Sequence, residues 1–357
     1  MGTHNFLVER SNLANTSIET TTQPTLDTGQ ALIRVERYAL TANNITYGVA
    51  GDMIGYWQFF PARGDLGRIP VWGIGTVVES NCPDVEPGSR YYGYYPMSSL
   101  LVIEPKKVNG RGLFDGAEHR AALPPTYNQY SLMTDENGYP PSMDNHQMIY
   151  RPLFTTGFVL DDFFADNGFF GAKQIILSSA SSKTAFSMAY LLKSRDDIHV
   201  IGLTSNGNAE FVKNMGLYDE VATYDDVTQM EASVPTAYVD MSGNREVLSA
   251  IHNHFNSNLL NSCGVGITHY DARGGQDPKT LPGATPSMFF APSQIQKRLA
   301  EWGAEKFQGL LAEAWQRFIA DVDQWVTIEE SDDVEATYRT VLKGAAPNKA
   351  YIVVNPT

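Results

Sequence analysis

The stretch KQIILSSASSKTAFSMAYLL, residues 173–192, decides the fold class of this 357-residue chain. Its first six residues form a short apolar run that is typical of a buried parallel strand. A serine-rich turn follows, and apolar residues then recur at helical spacing over residues 185–192. The pattern predicts a strand, a tight turn and an amphipathic helix in immediate succession.

The same alternation continues after this stretch. Further strands and helices are predicted at His199–Leu203, Ala209–Met215, Glu220–Thr223, Ala237–Asp240, Glu246–Phe255 and Gly264–Thr268. Strands that alternate with helices of about 10 to 15 residues indicate βαβ units and a parallel sheet. The sequence therefore predicts an α/β domain in the second half of the chain.

The first third of the chain is different and shows the alternating pattern of half-buried strands. Strands are predicted at Ala31–Tyr38, Val71–Glu79 and Tyr91–Tyr95. Residues 104–150 are rich in Gly, Pro and Asn and lack a long periodicity, which predicts surface loops. Near the other end, Ser293–Ile319 predicts one or two amphipathic helices and Ala350–Val354 a closing strand.

Charge and composition exclude several classes of function. The chain has 26 Lys and Arg against 40 Asp and Glu, and its formal net charge of −14 argues against nucleic-acid binding. The sequence has no apolar stretch of about 18 residues and no secretory signal pattern, so we expect no membrane span. Its two cysteines, Cys82 and Cys263, cannot build a disulfide framework or a cysteine-based zinc site. We expect a cytoplasmic protein.

Five segments follow one another in a recognisable order: TANNITY (41–47), PVWGIGTVVE (70–79), residues 84–93, residues 200–226 and PNKAYIVV (347–354). Together they resemble the medium-chain dehydrogenase/reductase superfamily, in its zinc-independent quinone and enoyl reductase branch. The resemblance implies an α/β fold in which a Rossmann-type parallel sheet domain is inserted in a β-rich, GroES-like catalytic domain. The catalytic domain would comprise residues 1–151 and 291–357, and the Rossmann domain residues 152–290.

The zinc-dependent members of this superfamily carry a His-Glu pair where this chain has Val71 and Trp72. Neither side chain can ligate a metal ion, and a zinc lobe of four cysteines is also missing from the sequence. The helical pair His252 and His254 is no substitute, because positions two apart on a helix face different ways. We predict a solvated helix there, and no metal site.

The turn SSASSKT (178–184) stands where the superfamily usually has a glycine-rich, phosphate-binding turn. A helix N-terminus still offers N–H groups and a positive dipole end to a pyrophosphate. The candidate ligands are Ser179, Ser181, Ser182 and Lys183. The alternative is that the serines only cap the helix.

Cofactor preference is inferred from the end of the second strand of this domain. The residues after Leu203 are polar and uncharged, whereas an NAD-selective site usually places an acidic residue there. NADP(H) is therefore favoured, with Thr204, Ser205 and Asn206 near its 2′-phosphate. The resemblance adds Tyr224 at that phosphate, and Gly264 in a strand that passes close to the cofactor in relatives.

Reduction of an activated C=C bond creates an enolate, which needs a hydrogen-bond donor and a proton. Tyr56 is the candidate proton donor, because enoyl reductases of this superfamily place an acidic tyrosine near this position. Tyr47 and Asn44 lie in the loop that faces the nicotinamide in relatives. Each of these residues can instead be a packing residue. The aromatic stretch Gly55–Pro61 either lines a pocket for an apolar or aromatic substrate or belongs to the core.

The resemblance thus implies a zinc-independent, NADPH-dependent reductase of an activated C=C bond, in an enone, an enoyl thioester or a quinone. It also implies a homodimer that forms through the Rossmann sheets. Two alternatives stay open. One is an NADPH-dependent carbonyl reductase or another conversion that uses the bound cofactor, and the other is a cofactor-binding protein without turnover.

Overall fold

The computed structural model describes residues 2–265 and 280–356. Unit 1 consists of Met1–Arg151 with Val326–Thr357, and unit 2 is Pro152–Trp325. The β-rich unit therefore resumes at residue 326 and not at residue 291, where we expected it.

The described residues form eighteen strands and nine α-helices. The strands are β1 (Gly2–Glu9), β2 (Asn12–Thr22), β3 (Ala31–Leu40), β4 (Leu66–Gly67), β5 (Pro70–Ser80), β6 (Arg90–Pro96), β7 (Leu100–Ile103), β8 (Pro105–Asn109), β9 (Gly112–Asp115), β10 (Gln129–Leu132), β11 (Gln174–Ser178), β12 (His199–Thr204), β13 (Glu220–Thr223), β14 (Thr236–Asp240), β15 (Leu259–Val265), β16 (Ser287–Phe289), β17 (Thr327–Ser331) and β18 (Lys349–Val354). The helices are α1 (Ala42–Val49), α2 (Gly51–Ile54), α3 (Asp144–Asp166), α4 (Lys183–Leu192), α5 (Ala209–Met215), α6 (Arg245–Phe255), α7 (Ala291–Trp302), α8 (Ala304–Val322) and α9 (Val334–Leu342).

Unit 2 contains a six-stranded parallel sheet in the order β13-β12-β11-β14-β15-β16. This is the strand order of a Rossmann fold, with the first strand, β11, at the centre. The expected α/β fold and its parallel sheet are confirmed. The strand that we placed at Gly264–Thr268 begins earlier, at Leu259, and residues 266–268 lie outside the described residues.

Unit 1 contains a nine-stranded sheet in the order β17-β18-β3-β5-β6-β10-β9-β8, with β7 paired to β3. A smaller sheet has the order β2-β1-β4. The closing strand β18 pairs antiparallel with β3, so that Tyr351 lies opposite Leu40. The last strand of the chain thus completes the sheet that begins in its first third, as a split β-rich domain requires.

Helix α8 explains why the second boundary differs from our expectation. Its residue Phe318 is fully buried and packs on Phe186 and Tyr190 of α4, with ring centroids 6.2 and 5.4 Å away. The Tyr190 hydroxyl also donates to Asp321 of α8, at 2.9 Å. An amphipathic pattern shows which face of a helix is buried but not which element covers it. The prediction therefore assigned this helix to the wrong unit.

The prediction of surface loops over residues 104–150 is also wrong. This segment contains β8, β9, β10 and the start of α3, and Tyr130 of β10 is fully buried. The Tyr130 ring packs on Gly93, where an added Cβ atom would lie 2.4 Å from it. Strands of four or five residues are too short to show a periodicity among so many turn residues.

His252 contradicts the prediction of a solvated helix, because it is fully buried in unit 2. Its Nδ1 atom lies 2.8 Å from the carbonyl oxygen of Pro282, and its Nε2 atom lies 2.8 Å from Ser262 Oγ. Burial lowers the pKa of this imidazole below its ordinary value. The ring therefore connects α6 to β15 in its neutral form.

Candidate functional site

The carboxyl ends of β11 and β14 lie side by side, at the point where the strand order of the unit 2 sheet reverses. Open α/β sheets bind their ligands in the crevice at this point. Ser178 Oγ donates to Asp240 Oδ1 across the two strand ends, at 3.0 Å. The same Oγ atom accepts the backbone N–H groups of Met241 and Ser242, at 2.9 and 3.1 Å. Asp240 was not among the predicted residues, although its place at the end of an apolar strand was a signal.

The turn between β11 and α4 is held by two tyrosines from outside it. Ser179 has a left-handed backbone with a φ of 53°, a conformation that favours glycine. Its backbone N–H donates to the hydroxyl oxygen of Tyr224, at 3.1 Å. The next carbonyl, that of Ala180, accepts from the Tyr218 hydroxyl at 2.8 Å. These contacts fix a conformation that a serine backbone adopts only under constraint.

The predicted phosphate ligands at the start of α4 have different local roles. Ser182 is the N-cap of the helix, because its side chain accepts the N–H of Ala185 at 3.3 Å. Ser181 Oγ accepts from the Asn208 amide at 3.0 Å. Lys183 is the first helical residue and is partly buried, and burial lowers its pKa to about 8. Ser182 therefore caps the helix, as the alternative to a phosphate ligand predicted. Lys183 places a positively charged side chain at the helix N-terminus.

The residues that were expected near a 2′-phosphate lie at the carboxyl end of β12. Thr204 is buried and Ser205 is exposed. The Asn206 amide donates to the carboxylate of Asp225, at 2.7 Å. This loop therefore does have an acidic neighbour, Asp225. From the sequence we considered only the residues that directly follow β12 and so did not include it. Gly264 lies opposite Asp240 in the sheet, at the end of β15.

Unit 1 contains a cluster of packed aromatic rings, which we call the aromatic cluster. Neighbouring ring centroids in it are 4.5 to 6.2 Å apart. Its members are Tyr47, Tyr56, Phe59, Phe60, Trp72, Tyr92, Tyr94 and Tyr127. The structure thus brings both candidate tyrosines together, with ring centroids 4.5 Å apart.

The hydroxyl groups of the two candidate tyrosines have different partners. The Tyr56 and Tyr127 hydroxyl oxygens are 3.1 Å apart, while the Tyr47 oxygen accepts from the Asn43 amide at 2.7 Å. Burial raises the pKa of both Tyr47 and Tyr56 well above the ordinary value for tyrosine. Both phenols therefore keep their protons at neutral pH, as a proton donor must.

Asn44 lies in helix α1 and not in a loop, and its side chain is fully used by local structure. Its Oδ1 atom accepts from the backbone N–H and the hydroxyl of Thr41, at 2.8 and 3.1 Å. Its amide donates to the carbonyl of Pro70 at 3.0 Å. Asn44 therefore caps α1 and ties it to the first residue of β5.

An ion pair that the sequence did not reveal lies beneath the aromatic cluster. Arg120 donates to Asp115 at 2.6 Å, and both side chains are 1% exposed. The same guanidinium donates to Asn128 Oδ1 at 2.9 Å and to the carbonyl of Tyr127 at 3.0 Å. Its carbon also lies 4.9 Å from the ring centroid of Phe60. The pair therefore holds one edge of the cluster in place.

The aromatic stretch Gly55–Pro61 contributes three rings to the core. Phe59 and Phe60 are buried in the core, as is Trp57. An open cavity of about 360 Å³ adjoins the stretch, lined by Arg10, Gly51, Asp52, Trp57, Gln58, Pro61 and His119.

Within residues 2–265 and 280–356, no group of three His, Cys, Asp or Glu side chains is arranged to hold a metal ion. Val71 is fully buried and Trp72 partly buried, and neither side chain can ligate a metal ion. No helix in the described part of the chain is long and apolar enough to span a membrane.

Comparison with solved structures shows which class of fold this is. The chain superposes on a Mesorhizobium loti protein with a proposed NADPH:quinone reductase activity, with a TM-score of 0.64, 14% identity and coverage of 99% and 98% of the two chains. It matches CurA of Vibrio vulnificus in complex with NADPH with a TM-score of 0.63 and 14% identity, over 99% of both chains. It matches the CurK enoyl reductase with a TM-score of 0.55 and 11% identity, over 99% of both chains. The chain thus has the medium-chain reductase fold that its sequence resembles.

Residues 38–347 match the family described as protein of unknown function (DUF2855), and the chain belongs to that family. A comparison with curated proteins finds no match.

Proposed function

We propose that the protein is a zinc-independent, NADP(H)-dependent oxidoreductase that reduces the activated C=C bond of a small molecule. The observation that carries the proposal is the Rossmann strand order of unit 2, with the SSASSKT turn between its first strand and helix. Support for the cofactor comes from CurA, which was solved with NADPH. Support for the substrate class comes from the enoyl reductase and from the proposed quinone reductase.

The residues of unit 2 fit a dinucleotide phosphate. Lys183 supplies a cation at the N-terminus of α4, which favours an anion by its dipole as well. Ser181 has its hydroxyl group at the same turn, and we assign Ser179 and Ser182 to the same phosphate contact. Ser182 caps the helix through its lone pair and can still donate its O–H.

At the end of β12, we assign Thr204, Ser205, Asn206 and Tyr224 to the 2′-phosphate. The negative charge of the Asp225 carboxylate repels that phosphate. The Asn206 amide donates a hydrogen bond to this carboxylate. We assign Gly264 to close approach of the cofactor.

A bound NADPH supplies a hydride, which leaves an enolate on an activated alkene. We assign the proton donor to Tyr56, whose burial keeps it protonated, and a supporting role to Tyr47. Asn44 positions α1 through its cap. The aromatic cluster supports an apolar or aromatic substrate, because aromatic side chains favour flat apolar ligands.

The experiment titrates the purified protein with NADPH and NADH and then measures NADPH oxidation with enones, enoyl thioesters, quinones and aldehydes. We expect NADPH to bind at least tenfold more tightly, which is about 1.4 kcal/mol. Asp225→Asn should widen that ratio, because it removes the opposing charge. Equal affinities would remove the roles of Thr204, Ser205, Asn206 and Tyr224.

The acceptor panel separates the alternatives. Oxidation with aldehydes alone would make the protein a carbonyl reductase. Binding of NADPH without oxidation by any acceptor would favour a binding protein, a possibility kept open because the Ser179 amide is already taken by Tyr224.

We also propose that the protein is a cytoplasmic homodimer. Support for the compartment comes from the free thiols of Cys82 and Cys263. Support for the dimer comes from β16, the edge strand of the unit 2 sheet as described, beside which Phe290 is 59% exposed. Sedimentation at micromolar concentration tests the dimer, and a monomer there would refute it.

A further inference from the structure

A buried carboxylate ends β14, at the point where the strand order of the unit 2 sheet reverses. This residue, Asp240, is 1% exposed. Its Oδ1 atom accepts from the hydroxyls of Ser178 and Ser242, at 3.0 and 2.8 Å, and from the backbone N–H groups of Ser242 and Gly243, at 3.0 and 3.1 Å. The Tyr238 hydroxyl adds a longer contact of 3.3 Å. Among the residues that the structure describes, every hydrogen-bond donor to Asp240 is therefore neutral.

The loop after β14 does not by itself require a negative charge at this position. The five donors converge on Oδ1, and Oδ2 makes no hydrogen bond within the described residues. A buried anion without a cationic partner is costly. The neutral side chain of Asn244 accepts the N–H groups of Glu246 and Val247 at the start of α6. A neutral acceptor can thus hold backbone N–H groups, and the charge of Asp240 needs another explanation.

The position of Asp240 in the sheet determines which half of a dinucleotide it faces. In the proposed function, the 2′-phosphate lies at the end of β12, and the pyrophosphate lies at the N-terminus of α4, beyond β11. A dinucleotide spans the crevice from one side of β11 to the other, so its nicotinamide half lies at the ends of β14 and β15. There Asp240 lies opposite Gly264, the residue assigned to close approach of the cofactor.

The charge of Asp240 acts on the neighbouring strand β15 as well. Cys263 of this strand is 2% exposed. Burial, together with the negative charge of Asp240, raises the pKa of the Cys263 thiol to about 12. The interior of a protein screens a charge much less than water does. The same carboxylate therefore stabilises a positive charge that is bound at the ends of β14 and β15.

We propose that Asp240 raises the affinity of the site for NADP⁺ relative to NADPH, through attraction between its carboxylate and the positively charged nicotinamide ring; this rests on the proposed function. The ring is neutral in NADPH, and the rest of the cofactor is the same in both forms, so the charge acts on one oxidation state. Positive charge develops on the ring as its hydride leaves. The attraction therefore also favours hydride transfer to the substrate.

The test measures the dissociation constants of NADP⁺ and NADPH for the wild type and for Asp240→Asn by isothermal titration calorimetry. Asparagine keeps the size of the side chain and an oxygen acceptor for the loop, but it has no charge. Loss of one partly screened charge should shift the ratio of the two affinities by about three- to tenfold toward NADPH. Both ligands are measured on one preparation, so partial unfolding reduces the bound amount of each alike. Asp240→Ser, which also keeps an oxygen acceptor without a charge, is the second variant and should shift the ratio in the same direction.

Two controls separate the charge of Asp240 from other effects. Asp197→Asn removes the same charge from an exposed position between α4 and β12, at the opposite edge of the sheet, and should leave the ratio unchanged. Ser178→Ala removes a hydroxyl that holds the loop after β14 but keeps the carboxylate. It should change both affinities by the same factor.

An unchanged ratio of the NADP⁺ and NADPH affinities in the Asp240 variants refutes the proposal, including the case in which both affinities fall equally. A shift of similar size in Asp197→Asn or Ser178→Ala also refutes it, because a general charge effect or the loop geometry then explains the ratio. If the wild type binds neither NADP⁺ nor NADPH, the proposed function fails and this proposal with it.

Discussion

Replacing Arg120 with Met should destabilise unit 1 strongly. The substitution keeps much of the side chain's apolar length but removes the cation that faces Asp115, where both side chains are 1% exposed. Asp115 would keep two backbone donors, the N–H groups of Glu104 and Ala117 at 3.0 Å each, but no counter-ion. Breaking a buried pair by removing one partner costs about 3–5 kcal/mol. Arg120 also donates to Asn128, so we expect the upper half of that range.

Native-state hydrogen exchange of the β6, β9 and β10 amides measures the free energy of opening in unit 1 alone, which whole-chain denaturation of a two-unit protein does not. Arg339→Met is the control, because its pair with Glu335 has side chains 56% and 43% exposed and should lose no more than about 0.5 kcal/mol. Adding Asp115→Asn to Arg120→Met should recover part of the loss, because the neutral amide keeps an oxygen acceptor for both backbone N–H groups without a buried charge. A loss below about 1 kcal/mol, or one equal to that of the control, would refute the reasoning.

Three further predictions concern the proposed site. Tyr56→Phe should lower kcat and kcat/KM together by about 10² to 10³-fold in steady-state assays, without loss of NADPH affinity. The reason is that the developing negative charge loses one hydrogen-bond donor. Unchanged turnover would move the donor role to Tyr47. Lys183→Ala should weaken the binding of NADPH and NADH alike in titrations. The affinity of the wild type should fall as the pH rises through about 8, because burial lowers the pKa of the Lys183 amine to about 8. An affinity that does not depend on pH across this range would exclude a charged contact. Ser179→Gly should stabilise unit 2 by up to about 1 kcal/mol, measured by native-state hydrogen exchange of the β11, β12 and β14 amides. The change relieves a left-handed backbone that costs about 1–2 kcal/mol, and it loses some chain entropy in return. A clear loss of stability would mean that the serine side chain itself holds the turn.

The sequence alone was sufficient for the alternation of strands and helices from β11 to α6 in unit 2, because that information is local. An apolar run followed by a helical repeat is set by neighbours a few residues apart, and β11 and α4 lie where the pattern placed them. The same holds for β13, whose bounds at Glu220–Thr223 were predicted as observed. The turn at Ser179 could be located for the same reason, although its left-handed backbone could not.

Contacts between residues that are far apart in the chain could not be predicted from the sequence. Tyr56 and Tyr127 are 71 positions apart, and only the folded chain brings their hydroxyl oxygens to 3.1 Å from each other. Asn206 and Asp225 are 19 positions apart, so the sequence did not show that the Asp225 carboxylate lies beside the loop after β12. Neither separation has a signature in local periodicity.

Which polar side chains are buried could not be predicted from the sequence either. For Arg120 and His252, a solvated position is the ordinary expectation from residue type alone. Each is buried because the folded chain supplies it with partners, Asp115 and Asn128 for the first, Ser262 and the Pro282 carbonyl for the second. Burial of a polar side chain is favourable only once those partners are in place, and only the tertiary structure puts them there.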